Sequence, residues 1–125
     1  MRYTKIEING LNAMVDITKF IMEKFPRAYC SANEKLNVLI VEDFSYMTFT
    51  TFTLTIIIAN SDSKKTNSVQ LEIIGSGSGN GLINFDWWKT RREIKNLYSS
   101  LSDFSKEKEF YISELNIELR EYNVR

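Results

Sequence analysis

The chain contains no histidine, a single cysteine, a single proline and no excess of either charge. Without histidine, Ser-His-Asp and Cys-His catalysis, His-ligated zinc and the usual general base near neutral pH are excluded. With Cys30 alone, neither an internal disulfide nor a multi-thiolate metal site can form. Cys30 reads instead as a small core or strand residue between Tyr29 and Ser31. Sixteen basic residues cancel sixteen acidic ones, so no overall field steers the chain toward nucleic acid or an anionic membrane. The longest strongly apolar stretch, Leu54 to Ala59, falls far short of the roughly 20 residues needed to span a bilayer. Charges interrupt the N-terminal segment Met1-Arg2-Tyr3-Thr4-Lys5-Ile6-Glu7, which therefore does not read as a signal peptide. The expectation is a cytoplasmic protein with no cofactor, no metal and no catalytic residue.

What is present suits one domain of 125 residues, long enough to bury a core without staples. Thr4, Ile6 and Ile8 alternate with Tyr3, Lys5 and Glu7, the period of a half-buried strand. Leu11, Met14, Val15, Thr18, Ile21, Met22 and Phe25 then recur at helical steps, with Asn9 as the expected cap and Pro26 as the stop. From Arg27 to Ile74 the period becomes two. Strands are expected at 28–32, 36–43, 46–59 and 69–74, with a hairpin turn at Asn33-Glu34-Lys35 and a polar loop from Asn60 to Asn67. Leu54, Ile56 and Ile58 are expected to face Val69, Leu71 and Ile73 across adjacent strands. Short links between these strands favour an antiparallel meander.

A second helix follows, with Asp86 as its cap and Trp87, Arg91, Ile94, Leu97, Tyr98, Leu101 and Phe104 along one side. The last twenty residues fit two periods, and their Glu, Lys, Leu and Arg content favours a helix over a strand. The order is β-α-β-β-β-β-α-(α). This is an α+β domain whose antiparallel sheet of four to five strands carries its helices on one face.

Four of the five glycines lie within Gly75-Ser76-Gly77-Ser78-Gly79-Asn80-Gly81. Glycine loses the most backbone entropy on folding, so such a cluster calls for unusual angles or close approach. Backbone N–H groups ahead of a helix attract anions, yet the spacing fits neither G-x-G-x-x-G nor a P-loop. Together with the residues that follow, Gln70-Leu71-Glu72-Ile73-Ile74 and this cluster, then Leu82-Ile83-Asn84-Phe85-Asp86-Trp87, resemble small bacterial domains of unknown function. In those domains a core strand runs into a glycine-rich loop, then Asn-Phe-Asp-Trp, then a final helix. The resemblance implies the same α+β arrangement and a cytoplasmic bacterial setting, and it implies no activity. The segment beyond Ser105 is longer than that pattern requires.

Two readings of function follow. In the first, the protein is non-catalytic and acts by self-association or contact with another protein, through Trp88, Arg92 and the amphipathic C-terminal region. In the second, a small molecule binds between sheet and helices near Gly75, Gly77, Gly79, Asn80, Gly81, Asn84 and Trp87. The Trp87-Trp88-Lys89-Thr90-Arg91-Arg92 run mixes aromatics with cations, but Asp86 and Glu93 dilute its charge and argue against nucleic acid. Residues 103–121 hold six acidic and three basic groups, so this tail is expected to attract the basic start of the helix. Glu42 and Asp43 point to opposite faces of a strand and make a poor acid–base pair.

Overall fold

The computed structural model describes residues 2–32, 36–45, 50–60, 67–78 and 85–119. The elements run β1 (Arg2–Asn9), α1 (Ala13–Lys24), β2 (Tyr29–Ala32), β3 (Leu36–Ser45), β4 (Thr50–Asn60), β5 (Ser68–Ser78), α2 (Phe85–Glu107), β6 (Tyr111–Ile112) and β7 (Glu118–Leu119). All strands join one antiparallel sheet in the order β2-β3-β4-β5-β1-β6, and β7 also pairs with β1. The meander from β2 to β5 arises from short connections, as anticipated. Because β1 lies beside β5 while β2 lies at the far edge, α1 must carry the chain back across the sheet.

One sheet face is the core. Thr4, Ile6 and Ile8 of β1 stand opposite Ile73, Leu71 and Val69 of β5, and all six are fully buried. Ile56 and Ile58 of β4 continue the same rows opposite Ile73 and Leu71, and Leu39 of β3 sits opposite Ile56. The helices close this face with Ala13, Met14, Ile17 and Ile21 from α1 and Ile94, Leu97 and Leu101 from α2. Phe20 of α1 stacks on Phe104 of α2 with ring centroids 4.6 Å apart, which joins the two helices. The α+β class and the helices on one face are therefore as the sequence indicates.

Helix α1 departs from the expected start. It begins at Ala13, and Asn12, with φ 60°, occupies the cap position without a side-chain cap bond. Asn67, from another segment, holds the chain ahead of the helix: its side-chain oxygen accepts from the Asn12 N–H at 3.1 Å, and its carbonyl accepts from the Gly10 N–H at 2.8 Å. Asn9, the expected cap, instead accepts a bond from the Ser68 hydroxyl at 2.7 Å. The apolar stripe is also divided. Met14 and Ile21 are buried together with Ala13 and Ile17, whereas Leu11, Val15 and Met22 face solvent.

The tail is the larger correction. Beyond α2 the chain forms no further helix over residues 111–119 but two short strands on the free edge of β1. Ile8 pairs with Ile112 and Tyr3 with Glu118, so the tail spends one residue more than β1 over the same span, as in a bulge. Glu7 and Ser113 exchange bonds: the Ser113 N–H donates to the Glu7 carbonyl, and the Glu7 N–H donates to the Ser113 hydroxyl, both at 2.9 Å. Helix propensity loses here because an unpaired β1 edge offers main-chain partners and Ile112, Leu115 and Ile117 gain cover against the core.

Candidate interaction surface

Strand β5 runs through Ser78, so half of the glycine cluster belongs to the sheet and not to a loop. Gly75 pairs with Arg2 on one side and Leu54 on the other, and Gly77 pairs with Phe52. Gly75 is buried beneath α2, where a Cβ would stand 3.1 Å from Thr90 Cβ and 3.2 Å from Thr90 Cγ2. The glycine serves close approach of helix to sheet at an ordinary φ, since none of the described glycines has a positive one. Gly79, Asn80, Gly81 and Asn84 lie outside the described residues. Trp87 and Trp88 fall in the first turn of α2, and Arg91, Arg92 and Lys95 are exposed along it, as a solvated face would be.

Arg2 is 7 % exposed and projects on the core side of β1, in the row of Gly75 and Leu54. Burial, and secondly the like charge of Arg91, hold its pKa below the ordinary arginine value. Among the described residues no group of three or more acidic or thiol side chains is placed to hold a metal ion. Among the described residues no helix is long and apolar enough to cross a membrane.

Two apolar surfaces were not legible as such. The first is the side of α1 away from α2, where Leu11, Val15 and Met22 are 75 %, 59 % and 42 % exposed. It borders a groove of ≈ 710 Å³ lined by Met14, Val15, Thr18, Met22, Pro26 and Asn37. A second groove, of ≈ 530 Å³, opens between the helices beside Phe20 and Phe104. Neither is lined by the glycine segment.

The second surface is the outer face of the sheet. Both helices pack on the inner face, so the outward positions would be polar in a solvated sheet. Over β2, β3 and β4 several are apolar instead. Tyr29, Leu36 and Ile40 are 69 %, 39 % and 37 % exposed, and Val38, Ile57 and Ala59 are half-buried among them. The registers make these residues contiguous: Tyr29 lies opposite Ile40, Val38 opposite Ile57 and Leu36 opposite Ala59. Ile74 of β5 adjoins Thr55 in the row of Ile40. Toward β1 the face turns polar, with Gln70 opposite Glu7 and Glu72 opposite Lys5. A signal for this face exists in the sequence, because Val38-Leu39-Ile40-Val41 and Ile56-Ile57-Ile58-Ala59 are apolar at both parities. Such runs mark strands covered on both faces.

The sequence matches no protein-family model and no curated protein.

Proposed function

We propose that this protein is a non-catalytic module that acts by holding another polypeptide against the outer face of its sheet. The observation that carries this reading is the run of Tyr29, Leu36, Val38, Ile40 and Ile57 across three neighbouring strands, on the face opposite both helices. Contiguous exposed apolar surface is uncommon on a chain that works alone, and it marks contact sites. The apolar centre with a polar border at Gln70, Glu72 and Lys5 matches the anatomy of an interface. The exposed Arg92 on α2 offers a second place for such contact. In the C-terminal segment Tyr111, Ile112, Glu118 and Leu119 pair with β1.

Native mass spectrometry of the freshly purified protein, beside an Ile40→Lys/Ile57→Lys variant, tests the reading. Wild type should carry a second polypeptide, of its own or another kind, and the variant should fly as the bare chain with an unchanged melting temperature. Wild type that is bare at every concentration would overturn it. A discrete small-molecule mass retained on both would instead favour the ligand-binding reading centred on the glycine segment.

A further inference from the structure

The geometry points to a small-molecule site between α1 and β3, for a neutral ligand with an apolar body and an amide head held by Asn37. It lies on the helix side of the sheet and is independent of the outer-face reading. Its origin is the width of the sheet. Six strands lie side by side, and two helices of about 10 Å each cover only about four strands at about 4.8 Å. The helices accordingly pack mainly on β4, β5, β1 and β6. The core side of β3 is left beside α1, where β2 adds only the small Cys30 opposite Leu39. The result is the groove of ≈ 710 Å³ lined by Met14, Val15, Met22, Pro26 and Asn37. Small-molecule sites have volumes of about 300–1,000 Å³.

Asn37 gives the groove its ligand chemistry. It shares the parity of Leu39, so it projects to the core side, and it is only 8 % exposed. Its cross-strand neighbour on β4 is the fully buried Ile58, so an aliphatic residue would suit this row better. A carboxamide buried here costs stability unless its donors and acceptor are met. Among the described residues its side chain has no hydrogen-bond partner, and it lines the groove. Thr18, the other uncharged polar group of the lining, already donates to the Met14 carbonyl at 2.6 Å. The Asn37 amide offers N–H donors beside a carbonyl acceptor. The head that answers both is an acceptor beside a donor, as in a primary or cyclic amide.

Charge sets the rest of the ligand class. Lys19 and Glu23 border the groove from exposed positions one turn apart on α1, with opposite signs, so no net field draws an ion inward. A charged head seated on Asn37 would lose its hydration and gain only a neutral partner. A neutral head loses less. The body then lies along α1 and covers Val15 and Met22, which solvent otherwise reaches. Met14 and Met22 are unbranched and adaptable, so these walls accept bodies of differing shape.

Titration of the isotope-labelled protein with octanamide, followed by NMR, tests this, with octanoate as the charged analogue of the same shape. Octanamide should shift the Asn37 side-chain amide and the Met14 and Met22 methyl signals together and saturably. Octanoate should bind about tenfold more weakly or worse. Asn37→Leu should weaken octanamide by about tenfold and abolish its advantage over octanoate. Met22→Trp changes an exposed position, leaves the core intact and narrows the groove, so it should weaken octanamide with Asn37 in place. No saturable shift at Asn37, Met14 or Met22 up to the solubility limit of octanamide would overturn the site. So would shifts centred on Phe20 and Phe104, which line the other groove. Octanamide binding that ignores either Asn37→Leu or Met22→Trp would overturn it as well.

Discussion

The buried hydroxyl of Thr4 donates to the main-chain carbonyl of Asn116 at 2.8 Å, tying the first strand to the last described segment. Thr4 is fully buried on the core side of β1, where a valine would satisfy the hydrophobic pattern as well. Thr4→Val should cost about 1–3 kcal/mol, because the Asn116 carbonyl loses its donor. Thr4→Ser keeps the hydroxyl and should cost less. Urea denaturation of the two variants side by side checks this, and equal losses would contradict it.

The tail is an integral part of the sheet. Ending the chain before Tyr111 removes the partly buried Ile112, Leu115 and Ile117 and bares the edge of β1. Each aliphatic group contributes about 1–3 kcal/mol when buried, less here for partial cover. A loss of at least 3 kcal/mol is expected, together with a tendency to aggregate through the open edge. A truncated chain that melts like the full one would show the tail to be dispensable.

Gly10 is required by Phe110. A Cβ at position 10 would lie 2.0 Å from Phe110 Cδ1 and 2.7 Å from its Cε1, so Gly10→Ala must displace the ring. Destabilisation of about 1–3 kcal/mol is expected. The double variant with Phe110→Ala should lose less than the sum of the two single changes, a coupling that a double-mutant cycle measures. Strict additivity would mean the ring is not the obstacle.

Ser105 on α2 is fully buried, and its hydroxyl has no hydrogen-bond partner among the described residues. Ser105→Ala removes an unsatisfied polar group and improves helix propensity. It should raise stability by about 1 kcal/mol, readable as a higher melting temperature. A fall of similar size would mean that the hydroxyl is bonded in solution.

The sheet and its core face were legible because Thr4, Ile6 and Ile8 and then Val69, Leu71 and Ile73 alternate cleanly with polar residues. Ile94, Leu97 and Leu101 were legible as the buried side of a helix for the corresponding reason. Two features escaped. On α1, buried Met14 and Ile21 and exposed Leu11, Val15 and Met22 all recur at helical steps, so spacing alone cannot say which side meets the sheet. In the tail, Leu115 and Leu119 fit both periods, and the outcome depended on an open β1 edge that only the sheet order reveals. The outer face was hidden by a different cause. Helices on one face were expected, but apolar residues at both parities of β3 and β4 do not say which parity is left uncovered, and they read as ordinary strand composition.

The most direct measurement of the central claim is photo-cross-linking with benzoylphenylalanine at position 40, beside the same group at position 19, in the producing cell. Lys19 is exposed on α1, away from the outer sheet face, and serves as the comparison. The account predicts a cross-linked polypeptide from position 40, at twice the mass of the chain if the occupant is a second copy, and little from position 19. An uncross-linked chain at position 40, or products equal at both positions, would contradict it.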